Sequence, residues 1–135
     1  MSVIRGNRNP SFVFAESNDF GEELRSVGFD EGEGEATTFY EFSVGYRPVA
    51  VTLTFDLSFD ADSAYNYFFT NAGSSNVEWE YVIDGEAAVS ASNPRFFGTC
   101  TLPPKPLFEL EASTEKQSFE IEVQLDSFDK ASTAG

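Results

Sequence analysis

The stretch from Val49 to Phe59 constrains this chain more than any other. Its odd positions, Val49, Val51, Leu53, Phe55, Leu57 and Phe59, are all apolar, and Thr52, Thr54, Asp56 and Ser58 stand between them. Successive side chains on a strand point to opposite sides, so this segment predicts a strand with one dry face and one wet face. The device recurs with more charge. Val77, Trp79, Tyr81 and Ile83 alternate with Glu78 and Glu80, and Phe119, Ile121, Val123 and Leu125 alternate with Glu120, Glu122, Gln124 and Asp126. A chain written this way makes a sheet with a glutamate-studded surface, and a function has to start from that surface.

The rest of the sequence bounds the answer. A length of 135 residues suits one domain able to bury a core without disulfides. Fifteen Phe, five Tyr and one Trp supply bulky core material, each ring worth about 1.5–3 kcal/mol when fully buried. There are 23 acids against 8 bases, a net charge of −15 and no His. That balance argues against gripping a nucleic-acid backbone or an anionic membrane, both of which need Lys and Arg. One Cys, Cys100, cannot form an internal disulfide, in keeping with a reducing compartment. No apolar run is long enough for a membrane helix, and no signal-peptide core stands at the N-terminus. The expected product is soluble and intracellular.

Along the chain, residues 1–10 read as an extended arm carrying Arg5 and Arg8. Ser11 to Ala15 and Glu22 to Phe29 are candidate strands. The run Asp30-Glu31-Gly32-Glu33-Gly34-Glu35 reads as a mobile acidic loop. β-character resumes from Thr37 to Val44, and Tyr46-Arg47-Pro48 marks a bend. Asp60 to Ala72 predicts the one helix, capped by Asp60 or Asp62, with Ala61, Ala64, Tyr65, Phe68, Phe69 and Ala72 on its apolar stripe and Gly73 as its stop. Asn76 to Ile83 reads as a strand, Asp84-Gly85 as a hairpin turn, and Glu86 to Ala91 as the returning strand. Arg95 to Leu102 is the next strand. Pro103 to Pro106 is a rigid connector, and Leu107 to Ala112 leads to the last strand, Gln117 to Phe128. The sum is a mainly β protein: a β-sandwich or flattened barrel of about eight strands with one flanking helix. The expected organisation is an arm over 1–10, a β-domain over 11–128 and a flexible tail over 129–135.

Catalytic chemistry finds little footing. Without His there is no Ser-His-Asp triad and no imidazole ligand. A single Cys rules out a Cys-rich zinc site. The Asp30–Glu35 run lacks the ligand spacing and distal glutamate of an EF-hand loop, and a solvated loop is its simpler reading. Paired carboxylates, which could cut a glycoside, arise by chance among 23 acids. Trp79 and Tyr81 at strand spacing read as core before they read as a sugar platform. Cys100 reads as a buried, inert thiol. The expectation is a non-enzyme without cofactor or metal.

The order of segments nonetheless resembles the major tail tube proteins of long-tailed bacteriophages, in the compact form found in phages of actinobacteria. The likeness is carried by the long strand Val49–Phe59 running into Asp60-Ala61-Asp62-Ser63-Ala64. It continues in Val77-Glu78-Trp79-Glu80-Tyr81, in Asn93-Pro94-Arg95-Phe96-Phe97-Gly98-Thr99-Cys100-Thr101-Leu102, and in the closing strand Phe119–Phe128. It spans roughly residues 11–128 and rests on element order and texture, not on an invariant motif. Some members carry a longer basic arm or a C-terminal extra domain, and neither is expected here.

The resemblance implies hexameric rings that join their inner sheets into one barrel, and rings that stack through a loop and the arm. DNA would transit the bore without specific binding. Partners would be further copies of the chain, a tape measure and a tail terminator, in the virion tail and, during assembly, the host cytoplasm. On this reading Glu78, Glu80, Glu120, Glu122 and Asp126 line the bore, with Asp56 behind them. Contacts between subunits fall to Arg5, Arg8, Arg25, Arg47 and Arg95 as counter-charges and to Asp30, Glu31, Glu33 and Glu35 of the acidic loop. Two other readings stay open: a capsid decoration or cement protein, gripping a lattice through residues 1–10, and a monomeric acidic module for a cationic or carbohydrate partner.

Overall fold

A computed structural model describes residues 9–30, 36–39, 42–46, 49–110, 112 and 115–133. The elements follow in chain order. Strands β1 (Ser11–Phe14) and β2 (Asn18–Asp19) precede a 3-10 turn at Gly21–Glu23, then β3 (Leu24–Asp30), β4 (Ala36–Phe39), β5 (Phe42–Tyr46) and β6 (Ala50–Asp56). Helix α1 (Ala64–Thr70) follows, and β7 (Val77–Val82), β8 (Arg95–Thr101), β9 (Ser118–Leu125) and β10 (Asp129–Ala131) complete the chain. The main sheet runs β2-β1-β7-β8-β9-β6-β3, with β10 on the far side of β8 from β7, and every pairing is antiparallel. β4 and β5 form a separate two-stranded sheet.

The alternation in sequence is the alternation in burial. Val51, Leu53 and Phe55 of β6 and Phe119, Ile121, Val123 and Leu125 of β9 are buried, while Glu120, Glu122 and Gln124 are exposed. The sheet curls so that the dry face of β3–β6–β9 meets that of β1–β7–β8. Phe29 of β3 shows the closure, its ring lying 5.9 Å from Trp79, 6.0 Å from Tyr81 and 6.4 Å from Phe96. The mainly β architecture expected from the sequence, a β-sandwich or flattened barrel with one flanking helix, is therefore observed, in the form of an open sandwich.

Helix α1 closes one end. Phe68 is fully buried, 5.2 Å from Phe14 and 5.9 Å from Phe55, and Tyr65 meets Phe119 at 5.3 Å. That end collects the last residues of β1 and β6 and the first of β9. The opposite end collects Asp30 of β3 against Ala50 of β6, and Ser11, Val82 and Arg95 across β1, β7 and β8. The molecule is thus polar along its strands, with the helix at one end and the β7–β8 loop at the other.

Three local expectations are corrected. The helix starts later than Asp60, because Ser63 takes the cap: its hydroxyl accepts from the Asn66 N–H at 3.2 Å and donates to the Ser58 carbonyl at 2.8 Å. No strand returns over 86–91. The edge of β7 that it would occupy is filled by β8, and Asn93 instead gathers the loop, donating to the carbonyls of Asp84, Ala87 and Ala88. The tail expected from 129 begins as β10, paired to Phe97, Phe96 and Arg95 of β8. A close backbone crossing sets up that pairing: a Cβ on Gly98 would lie 2.2 Å from the Ser127 carbonyl oxygen, so only glycine admits the return. The Ser127 hydroxyl then accepts from the Thr99 N–H at 2.8 Å.

Candidate functional site: the acidic outer face

The outer face of β6 and β9 is built from a simple register. Glu120 stands opposite Thr54, Glu122 opposite Thr52, and Gln124 opposite Ala50. On the far side of β6, Ser26 and Gly28 of β3 oppose the same two threonines. Short neutral side chains therefore flank two long exposed carboxylates, which have room to extend into water. No lysine or arginine occurs in β9 or β6. Asp126 follows at the strand's end, accepting from the Thr101 hydroxyl at 2.9 Å. Asp56 differs: Arg25 Nε donates to its carboxylate in an ion pair, and the same guanidinium reaches the Lys116 carbonyl at 3.4 Å.

A second acidic stretch lies on the outer face of β7. Glu80 pairs with Arg95 at 2.9 Å, and the guanidinium sits 3.9 Å from the Phe97 ring centroid while its Nε donates to the Thr133 carbonyl at 3.1 Å. Arg95 is thereby fixed against its own sheet from three sides. Glu78 stands opposite Thr99. A hydrogen bond with the Glu16 carboxyl, and that group's charge, hold Glu78 above the ordinary carboxylate value. β8 meets β9 only at Cys100↔Leu125 and Thr101↔Gln124. Glu120 and Glu122 are therefore offset by several residues along the strands from Glu78 and Glu80. Asp126, whose N–H donates to the Thr99 carbonyl at 2.9 Å, stands across Thr99 from Glu78 and so lies between the two groups.

The candidate contact residues divide likewise. Arg25 and Arg95, expected to face other copies, each hold a carboxylate of their own chain. Asp30 ends β3, its carbonyl accepting from the Val49 N–H at 2.8 Å. Arg5, Arg8, Glu31, Glu33, Glu35 and Arg47 lie outside the described residues.

Three features escaped sequence reasoning. Glu23 reaches from the 3-10 turn to the start of α1, where its two carboxylate oxygens accept from the Ala64 N–H at 3.2 and 3.3 Å. Burial pushes its pKa up, the Ala64 bond draws it down, and Asp62, Asp56 and Asp60 push it up again. Glu16 owes its place beside Glu78 to the tight turn after β1, where Ala15 and Glu16 take φ of 51° and 67°. An exposed group of large apolar side chains gathers at the helix end; its only signal in the sequence was that the strand through Phe59 had to stop somewhere.

The chemistry of this surface is electrostatic. Among the described residues no cluster of three or more acids or thiols has the geometry to hold a metal ion. Cys100 is fully buried in β8, and burial together with Asp126 pushes its thiol up to about 12. Among the described residues no helix is long and apolar enough to cross a membrane. Comparison with known protein families, curated proteins and solved structures finds no match to this chain.

Proposed function

We propose that this protein is a structural subunit of a phage-tail-like tube, assembling side by side into rings and ring upon ring into a hollow filament through which DNA passes. The observation that carries the reading is the outward ladder of Glu120 and Glu122 set among Thr52, Thr54, Ser26 and Gly28, without a cation in β6 or β9. A wall for a polyanion has to avoid holding it. Six to ten phosphate contacts change DNA affinity by about 10³–10⁵ across an ordinary range of salt, whereas a carboxylate wall offers none. Its repulsion is screened beyond ~8 Å, so the duplex is neither bound nor barred.

The position of the ladder supports the same reading. β3 terminates the strand order one strand beyond β6, so the acidic face runs close to a sheet edge. A sheet edge invites another strand, and pairing between copies would carry the acidic face from subunit to subunit around a ring. The internal pairing of Arg25 with Asp56 and Arg95 with Glu80 refines the assignment: Glu120, Glu122 and Asp126 are the bore-lining residues we favour, and Asp56 and Glu80 serve to fix arginines.

Negative-stain microscopy of purified protein at high concentration tests the proposal. Rings or hollow filaments are the expected result. A chain that remains a monomer in gel filtration at the same concentration sinks it in favour of a binding module, and discrete small oligomers favour a decoration protein.

A further inference from the structure

The half-sheet that carries Glu120 and Glu122 is open on both sides. β3 ends the strand order, and among the described residues no strand pairs with Leu24–Phe29 on the side away from β6. β9 gives its second edge to β8 only at Leu125 and Gln124. Among the described residues no strand pairs with Ser118–Val123 on that side. A hollow of about 740 Å³ borders Ser118, Phe119 and Glu120. Open edges invite an added strand, and proteins blunt them with Pro, Lys or very short strands. The far side of the main sheet is blunted in this way: β2 has 2 residues, and β10, with 3, carries Lys130. β3 runs for 7 residues, and neither it nor Ser118–Val123 contains Pro or Lys. The one irregularity of β3, a register shift between Leu24 and Ser26, sits at its start.

The two open edges match each other. Val27 and Phe29 of β3 pack on the core, and Ser26 and Gly28 face outward; Phe119, Ile121 and Val123 of β9 are buried, and Glu120 and Glu122 face outward. Laid side by side with dry faces aligned, the neutral Ser26 and Gly28 neighbour the glutamates, and no like charges meet. Two β9 edges joined would set glutamates against glutamates. Two β3 edges joined would leave both β9 edges open. β3 against β9 satisfies both edges with one kind of contact, which repeats from copy to copy until a ring closes. The direction follows from the topology. β3 and β9 are each antiparallel to β6, so they run the same way. Rotation about a bore preserves direction along it, so the joint is parallel.

We infer that β3 of one copy is added, in parallel, to the Ser118–Val123 edge of the next, so that β3, β6 and β9 of successive copies form one continuous wall. The inference rests on the tube reading and names the joint that closes its ring.

Disulfide trapping in the full chain tests the joint. Ser26 and Glu120 both stand opposite Thr54, on either side of β6, so within one copy they are two strand spacings, about 9–10 Å, apart. A disulfide needs Cα atoms about 4.4–6.8 Å apart, so S26C/E120C can bridge only between copies. Cys100 is buried and offers no competing thiol. S26C is combined in turn with S118C, E120C and E122C, the outward positions of the open β9 edge. Mild oxidation of the assembled protein should give, in one of the three, a ladder of linked species beyond the dimer. No ladder in any of the three overturns the inference, and so do single variants that link into dimers in place of a ladder, which report two-fold pairing. Hydrogen exchange on the unaltered chain gives a second reading. Segments 24–30 and 118–123 should exchange more slowly in assembled than in dissociated protein, and equal exchange overturns the inference. The tube and the joint fail separately. Hollow tubes with neither ladder nor protection keep the tube and remove the joint. A ladder from protein that forms open ribbons without a bore keeps the joint and removes the tube.

Discussion

Single atoms decide two features of this protein. At Gly98 the Ser127 carbonyl comes so close that a Cβ has nowhere to go. Because the obstructing atom is backbone, relief requires moving the β9–β10 return itself. Gly98→Ala should therefore lower stability by about 1–3 kcal/mol, read as a lower urea midpoint. An unaltered midpoint would contradict the crossing. Glu23 is the second case. Its folded pKa lies above the ordinary 4.5 chiefly through burial, so the folded chain holds that proton more tightly than the unfolded one. The stability it contributes is present below 4.5 and is lost as pH rises through the raised value. Glu23→Gln keeps an acceptor for the Ala64 N–H and removes the charge. The expected result is a flatter dependence of the urea midpoint on pH from 4.5 toward neutrality. A profile matching the wild type would show that Glu23 does not set it.

Elements show what alternation can and cannot reveal. β6, β7 and β9 were legible because each has one face in oil and one in water, and the period of two survives any neighbour. β8 was legible from its aromatic content and the Pro94 break before it. The ends were less so. Asp60, Asp62 and Ser63 all stand at the start of α1, and Ser63 takes the cap, accepting from the Asn66 N–H while donating to the Ser58 carbonyl. Ser63→Ala should cost about 1 kcal/mol and diminish the helical component of the circular dichroism on heating before the sheet melts; coincident melting with unchanged stability would remove Ser63 as the cap. The missing return strand and β10 were hidden for a common reason. Both depend on which strand occupies an edge of β7 or β8, a tertiary fact that neither Asp84-Gly85 nor Asp129-Lys130 records locally. The site was half legible: Glu120 and Glu122 could be read as one exposed row, but the capture of Asp56 by Arg25 and of Glu80 by Arg95 joins residues 31 and 15 positions apart.

The whole molecule is an acidic shell with a polarity. Its formal charge of −15 makes every copy repel every other, so association should strengthen when salt or divalent cations screen that charge. Light scattering through a salt titration measures this directly, and tubes that survive dialysis into low salt undiminished would contradict it. Reversing the wall should convert indifference to DNA into retention. In E120K/E122K, assembled material should bind duplex DNA with a steep salt dependence while the wild type does not. Equal DNA retention by both would place those side chains away from the DNA path. The measurement that reaches the central claim most directly is a cryo-electron-microscopy map of the assembled protein, because it fixes which side of β9 looks inward. The account predicts a ring whose inner wall is the β6–β9 face, with Glu120 and Glu122 pointing into the hole. A ring with that face on its outer surface, or an inner wall of arginine and lysine, would contradict it.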